Sequence, residues 1–317
     1  MMVKADDVRG MIAVDKMGCK ILFLNPATYE TETLLEGFQR TVHELLVIPQ
    51  TGLAYVPIFG DGIHGRNPNP GHVLCVIDCL NRRHITDIDL SPYIAPHTVR
   101  EGPDGLIYIT CENSAKIAVI DPKTHTMIDA IDSGSANGHR LCITHDGQRL
   151  YTDNEEDATV SVIDLPSRKL LGQIATPQAI AGIAVSDDGR TVVAVGDLTP
   201  MIFMIDPASG ATREMPLEGV AKPAQIARYS PDGRLLVVSS MNDGKVSLID
   251  TASGRQTAVA VGSQPMDFAF RGDDIFVGCQ GDGTMPRKCG ASSTQGFAIV
   301  WGQWRLLDHP LARVMTA

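Results

Sequence analysis

Short runs of strand-favouring residues, separated by turn residues, recur along almost the whole chain. Residues 97–132 show the pattern: Pro-Asp-Gly is followed by LIYIT, the loop CENSA, the run KIAVID, the turn DPKTH and the run TMIDAID. Isoleucine, valine, threonine and tyrosine favour strands, whereas Pro-Asp-Gly favours a tight turn. No apolar periodicity of 3.6 residues persists in these segments, so the pattern predicts four short antiparallel strands and no helix.

Two sequence markers repeat with a nearly constant spacing of 42 to 44 residues. An apolar run ends in aspartate at Asp78, Asp121, Asp164, Asp206 and Asp250. Asp-Gly turns begin at Asp104, Asp146, Asp188 and Asp232. A four-stranded unit of this length is typical of one β-propeller blade.

The repeats predict an all-β fold, a seven-bladed β-propeller of four-stranded antiparallel blades, in a single domain at residues 1–317. Six units follow one another at residues 43–95, 97–137, 139–179, 181–223, 225–263 and from 265 onward. The segments GMIAVDK and ILFLNPATYETETLLEG match the later strands of a seventh blade. Its first strand then has to come from the C-terminus, a closure that hides exposed strand edges. Regular repeats cover about residues 8–284, residues 285–317 depart from the pattern, and FAIVW is the candidate closing strand.

Composition narrows the class of partner and the compartment. The 317-residue chain carries a net charge of −10, which disfavours nucleic acid and anionic membranes as partners because phosphate binding needs a basic surface. No apolar run has the length of a membrane-spanning helix, and the N-terminus has no apolar stretch of signal-peptide length. The seven cysteines form no CxxC pair. We therefore expect free thiols in a cytoplasmic protein, a monomer or weak oligomer.

Aligning the repeats places histidines from three successive blades at one end of the central channel. The residue seven positions before each turn aspartate begins the strand that lines the channel, and it is His97, His139, Ala181 and Gln225 in successive units. His43 has this place in the preceding unit, whose turn is one residue longer. Three imidazoles with an open position are typical of a catalytic site for a divalent metal such as Zn, Fe, Mn or Ni. The alternatives are acid/base chemistry without a metal and histidines that merely fill a polar channel.

Carboxylates share this end of the channel. The residue nine positions before each run-closing aspartate ends the second strand, and it is Glu112, Glu155 and Asp197 in three successive units. We predict that these carboxylates are catalytic, either by moving protons or by orienting the imidazoles. Capping of loops or pairing with arginine is the alternative.

Further polar residues are predicted to bind substrate on the same face. Asn113, Asn154 and Arg140 neighbour the positions just described. The insertion at residues 59–72 is rich in Gly, Pro and Asn, and such a loop carries function when a rigid scaffold holds it. It is expected to bring His64, as a catalytic residue, and Arg66, as a ligand for a substrate carboxylate, over the channel.

Other titratable residues are expected outside the site. Glu44 follows His43 and should point to the opposite face of its strand, while Asp153 and Glu156 are expected in solvent. Cys111 is expected to be structural. The remaining histidines, expected in turns, on the far face or in the tail, are His84, His125, His145 and His309.

The VIDPKT-type repeat with its DG-L-x-Y-x-T segment resembles the YVTN-type, lactonase-like seven-bladed propellers of bacteria, over roughly residues 8–284. Since that superfamily includes lactonases and a lyase, the resemblance implies an enzyme, although a fold does not fix a function. We expect a metal-dependent hydrolase or lyase that acts on a small polar carbonyl-containing substrate at the channel mouth, with Glu112 or Glu155 moving the proton. A non-enzymatic binding or scaffold propeller and a copper redox protein are the alternatives.

Overall fold

The computed structural model describes residues 10–16, 18–25, 28–38, 41–62, 66–271, 274–279, 281, 297–301 and 313–316. In these residues the chain forms 28 strands and two single-turn 3-10 helices, Glu155–Asp157 and Met241–Asp243. The described part of the chain contains no helix that is long and apolar enough to cross a membrane.

The strands form seven sheets, here called blades 1 to 6 and sheet 7. Blade 1 comprises β1 (Gly10–Asp15), β2 (Lys20–Leu24), β3 (Thr31–Leu35) and the C-terminal β27 (Phe297–Trp301). Blade 2 comprises β4 (Thr41–Val42), β5 (Leu46–Ile48), β6 (Leu53–Gly60), β7 (Val73–Asp78) and β8 (Arg83–Asp89). Blade 3 comprises β9 (Pro96–Glu101), β10 (Ile107–Cys111), β11 (Lys116–Asp121) and β12 (Thr126–Asp132).

The second half of the ring repeats this order. Blade 4 comprises β13 (Leu141–Ile143), β14 (Arg149–Asp153), β15 (Thr159–Asp164) and β16 (Lys169–Ala175). Blade 5 comprises β17 (Ile180–Val185), β18 (Val192–Gly196), β19 (Met201–Ile205) and β20 (Thr212–Pro216). Blade 6 comprises β21 (Ile226–Tyr229), β22 (Leu235–Ser240), β23 (Lys245–Asp250) and β24 (Gln256–Ala260). Sheet 7 comprises β25 (Pro265–Arg271), β26 (Asp274–Cys279) and β28 (Arg313–Thr316).

Apolar clusters join the seven sheets in a closed ring. Each cluster takes its buried side chains from two neighbouring sheets. The circle closes where Met11 and Ala13 of β1 pack with Ala269 and Phe276 of sheet 7. Because each blade buries both faces against its neighbours, its inner strands need apolar residues on both faces. This explains runs such as β11, in which the four central residues are all buried.

The predicted all-β propeller is confirmed, but six blades are complete rather than seven. Blades 1 to 6 have the four strand positions, and in blade 2 the first position is divided between β4 and β5. Sheet 7 has three strands in the described residues, and β28 runs parallel to β26 instead of antiparallel. The sequence after Cys279 lacks the apolar run that ends in aspartate, so a C-terminal segment takes the third position of this sheet.

The predicted closure by a C-terminal strand is also confirmed. FAIVW forms β27, which pairs antiparallel with β1, with Met11 opposite Val300. Blade 1 thus combines the two ends of the chain and has no missing inner strand.

Candidate functional site

The first strands of the blades are irregular where the predicted site residues lie. In blade 3 the pairing of β9 with β10 shifts between Ile109 and Cys111, so His97 and Thr98 together occupy the space of one residue. Such a bulge turns two successive side chains towards the same side. In blade 2, residues 43–45 interrupt the first strand between β4 and β5.

Glu44 lies on the same side as His43, and the prediction that it points away is wrong. Its Oε1 atom lies 3.7 Å from Nδ1 of His97 and accepts a hydrogen bond of 3.1 Å from the Thr98 hydroxyl. Side chains alternate only along a regular strand. The interruption of the strand at His43 removes that alternation.

The three histidines lie side by side in the interior. The ring centroids of His43 and His97 are 3.9 Å apart, and those of His97 and His139 are 4.2 Å apart. The three residues are 7%, 3% and 6% exposed in chain order. Phe59 packs against the first two rings, with centroid distances of 5.0 and 5.5 Å, so this row has an apolar wall on one side.

Carboxylates flank the histidine row. Oε1 of Glu112, a fully buried residue, lies 3.7 Å from Nε2 of His97. Oε1 of Glu155 lies 3.3 Å from Nδ1 of His139. Two of the three predicted carboxylates are therefore in the cluster.

Two other acidic residues are not where the sequence placed them. Asp153, expected in solvent, is fully buried, and its Oδ2 lies 3.5 Å from Nδ1 of His139. Its other oxygen accepts the backbone N–H of Arg140. Asp197, expected at the site, is exposed on the loop after β18. Blade 5 has Ala181 in the histidine position, so Asp197 has no imidazole of its own blade to face.

The burial and charges of the cluster set its protonation. Burial holds the pKa of His43 and of His97 well below the ordinary 6.5, and neighbouring cations add to the effect. Burial also disfavours protonation of His139, but the charges of Glu155 and Asp153 outweigh it and raise the pKa of that imidazole. At neutral pH the first two rings are therefore neutral and able to bind a metal.

Lys16 is a member of the site that the sequence reasoning missed. It follows β1, and its Nζ lies 2.7 Å from Nε2 of His43 and 5.5 Å from the centre of the Phe59 ring. Burial lowers its pKa from 10.5 to about 8, against the opposing charge of Glu112. The repeat could have identified this residue. Lys16 stands nine residues before Asn25, which replaces the run-closing aspartate in ILFLN, so Lys16 has the repeat position of Glu112.

A charge network lies next to the histidines. Glu44 pairs with Arg140, and its Oε2 lies 3.4 Å from Nη1 of Arg100. Arg140 also donates from Nε to the Ala181 carbonyl at 3.3 Å. Burial opposes ionisation of Glu44, but the arginines outweigh it and lower the pKa of this carboxyl from 4.5 to about 2. The carboxylate is therefore ionised and occupied by its arginine partners.

A pocket of about 310 Å³ opens beside this network. It is lined by Val14, His43, Glu44, Arg140, Ile226, Met266 and Asp267. These residues come from five of the seven sheets, so the pocket lies on the ring axis. A small molecule bound there reaches His43 and Arg140 directly.

Two groups of potential metal ligands occur in this cluster. His43, Glu44 and His97 form one, and His97, Glu112 and His139 form the other. In each group the ligand atoms lie within 4.8 Å of one another, and all the residues are buried. The second group is better suited to a metal, because the carboxylate of Glu44 is already engaged by two arginines.

The other predicted substrate-binding residues have different surroundings. Asn113 is exposed with a φ of 63°, and its N–H donates to the Ala136 carbonyl at 2.8 Å, as expected of a turn residue. Asn154 is buried and donates to the hydroxyls of Thr159 and Ser161 at 2.9 and 2.8 Å. The Asn154 side chain thus holds its own blade together, and substrate binding by either asparagine stays a prediction. Arg66 is exposed on its loop, and His64 lies outside the described residues.

Among the residues expected elsewhere, Cys111 packs between blades 2 and 3, as predicted. Glu156 is exposed, also as predicted. His84 is the second residue of strand β8 and follows the turn after β7. His309 lies outside the described residues.

Comparison with known proteins supports the fold. No family model and no curated protein matches the chain. Among solved structures, the chain is similar to Kuenenia stuttgartiensis hydrazine synthase, with a TM-score of 0.63 and 19% sequence identity over 76% of this chain and 74% of that chain. At this identity the likeness shows the fold alone. The propeller part of the predicted resemblance is confirmed, and the YVTN-type, lactonase-like family stays a prediction.

Proposed function

We propose that the chain is a metal-dependent enzyme of the hydrolase or lyase class, lactonase-like in its chemistry, that acts on a small polar carbonyl-containing substrate in the axial pocket. The observation that carries the proposal is the buried group of His97, Glu112 and His139. Two histidines and one glutamate are a known ligand set of catalytic zinc, which leaves a position open for water or substrate.

The surroundings of the two imidazoles fit a metal. Nδ1 of His97 faces Glu44 at 3.7 Å, and Nδ1 of His139 faces Glu155 at 3.3 Å. A carboxylate behind each ring fixes its orientation and raises its basicity, which is the usual support of a metal-binding histidine. This arrangement leaves Nε2 of each ring to bind the ion. A divalent ion held there would polarise a carbonyl or lower the pKa of a water molecule.

Other residues would handle the substrate and its protons. Arg140 contributes hydrogen-bond donors to the pocket wall, held in place by Glu44 and the Ala181 carbonyl. His43 lines the same wall and forms a hydrogen-bonded pair with Lys16 behind it. With the lysine pKa at about 8, this pair can donate or accept a proton near neutral pH. Nδ1 of His43 is buried without a hydrogen-bond partner in the described residues, which leaves it available to a bound ligand.

The location and partners expected from the sequence belong to the same proposal. The described cysteines carry free thiols, which supports a reducing, cytoplasmic location. The small-molecule substrate expected from the sequence would lie in the axial pocket, against His43 and Arg140.

The test is hydrolysis or elimination by the metal-loaded chain on a panel of lactones and other small carbonyl compounds. We expect turnover that is lost in His139→Ala and retained in Asp197→Asn, since Asp197 has the same repeat position as Glu112 but is exposed. Equal turnover by the wild type and His139→Ala would contradict the proposal.

A non-enzymatic binding propeller is the second candidate. The observation in its favour is the pairing of Glu44 with Arg140 and of Arg228 with Asp267, which leaves the pocket wall largely neutralised. Binding of panel compounds without turnover, and without a requirement for metal, would favour this function.

A further inference from the structure

A second set of metal-binding side chains lies at the outer rim of blade 2. Cys75 in β7 and His84 and Asp87 in β8 place one ligand atom each within 4.8 Å of one another. Because β7 and β8 are the third and fourth strands of the blade, this set, here called the rim site, is distinct from the channel. No part of the proposed function uses it.

A β-bulge brings the three side chains to one face of the sheet. Asp87 lies directly opposite Cys75, and His84 lies opposite Ile77. Residues three apart on a regular strand point to opposite faces. The pairing of β7 with β8 shifts so that Ile85 is left without a partner across the strands, which returns His84 to the face of Asp87.

The rim site is already ordered on one side and open on the other. Nε2 of His84 lies 2.6 Å from Oδ1 of Asp87, and Phe38 packs edge-on against the imidazole, with 6.1 Å between the centroids. Cys75 is 3% exposed, whereas the side chains of His84 and Asp87 are 41% and 52% exposed. An ion can thus enter from solvent and meet a sulfur atom at the floor of the site.

The propeller repeat does not require these residues. The positions of Cys75, His84 and Asp87 have equivalents in blades 3 to 6. In that order, the residues are Ala118, Met127 and Ala130 in blade 3; Ser161, Leu170 and Gln173 in blade 4; Phe203, Thr212 and Glu214 in blade 5; and Ser247, Gln256 and Ala258 in blade 6. None of these four sets has more than one residue able to bind a metal strongly. The blade therefore forms equally well without the three ligands, and their presence in blade 2 needs a separate reason.

We propose that Cys75, His84 and Asp87 form a zinc site that ties the outer strand β8 to β7. Thiolate, imidazole and carboxylate are all zinc ligands, and three of them leave a fourth position for water. Sulfur favours zinc over magnesium and calcium, which prefer oxygen ligands. On binding, the sulfur–metal bond replaces the S–H bond of Cys75, and the proton leaves to solvent. Zinc binds the folded chain and stabilises it by mass action.

The experiment is cobalt substitution of the full chain, followed by absorption spectroscopy. A cobalt ion bound by a thiolate gives an intense near-ultraviolet charge-transfer band, which a site made of histidines and glutamate does not give. We expect this band in the wild type and its loss in both Cys75→Ser and His84→Ala. Cys111→Ser is the matched control, since Cys111 is another buried thiol in a strand, and it keeps the band.

His84→Ala separates loss of the metal from loss of the fold, because the histidine is exposed and its removal leaves no cavity in the apolar core. We also expect zinc to raise the Tm of the wild type more than that of His84→Ala. A wild-type chain without the band, or a band that persists in Cys75→Ser and His84→Ala, would overturn the proposal. Glu112→Gln keeps the band, so failure of the rim site and failure of the channel site are separable.

Discussion

Replacing Glu44 by glutamine tests the charge network that holds the site together. Glu44 is buried between Arg140 and Arg100 and also accepts the Thr98 hydroxyl. Glutamine has almost the same volume, so the substitution removes the charge without creating a cavity. The two guanidinium groups then lose their shared counter-charge in the interior.

The loss of stability follows both from the pKa of Glu44 and from the burial of its ion pair. Lowering the pKa of Glu44 from 4.5 to about 2 corresponds to about 3 kcal/mol of stability at neutral pH, at 1.36 kcal/mol per pH unit. Removing one partner of a buried ion pair costs about 3–5 kcal/mol in other proteins. We therefore expect Glu44→Gln to lower the free energy of unfolding by roughly 3 kcal/mol at pH 7.

The pH dependence has a definite sign. A carboxyl whose pKa is lower in the folded state stabilises the fold above its unfolded pKa, and this contribution is lost as the pH falls from about 4.5 to about 2. The difference between the wild type and Glu44→Gln should fall to less than half between pH 7 and pH 3. Urea unfolding at both pH values measures it, with the exposed Glu214→Gln as the control. A loss under about 1 kcal/mol at pH 7, or the same loss at both pH values, would refute the reasoning.

Further substitutions probe the neighbours of the site. Burial lowers the pKa of Lys16 from 10.5 to about 8, so between these two pH values the folded state binds fewer protons than the unfolded state. The buried ammonium group therefore destabilises the folded state most below pH 8, and this effect shrinks as the pH rises to 10.5. Lys16→Met should therefore raise the free energy of unfolding at pH 7, with a smaller gain at pH 10; a gain independent of pH would contradict this. Asn154→Ala removes the three side-chain hydrogen bonds of this buried residue and should cost about 1–3 kcal/mol in urea unfolding. Asn113→Gly, at an exposed left-handed position, should change stability by less than about 1 kcal/mol; equal costs for the two would disprove these roles.

The fold and the row of histidines follow from the repeat itself. The spacing of Asp78 and its four equivalents sets the strands, and the same frame places His97 and His139 at equivalent points of adjacent blades. Adjacent blades of a propeller share an axis, so equivalent residues converge. The periodicity alone places these histidines, and a sequence shows periodicity directly.

The incorrect predictions for Glu44 and Asp153 concern places where the strands depart from regular geometry or where side chains bind the backbone. Glu44 reaches the channel because the first strand of blade 2 is interrupted, and Asp153 is buried because it accepts the backbone N–H of Arg140. Interruptions and bulges depend on packing between blades, which the spacing of residues does not show. Asp197 has the same repeat position as Glu112, but its blade has Ala181 in place of the histidine, and the carboxylate is exposed.

The most direct test of the proposed metal centre is the metal content of the purified chain, measured by mass spectrometry. The measurement is made in a His84→Ala background, so that the rim site does not contribute, and compares that chain with the added changes Glu112→Gln and Asp197→Asn. We expect close to one zinc or other divalent ion per chain, its loss with Glu112→Gln, and its retention with Asp197→Asn. A chain that binds no metal when metal is supplied, or that keeps the metal with Glu112→Gln, would contradict a centre built on His97, Glu112 and His139.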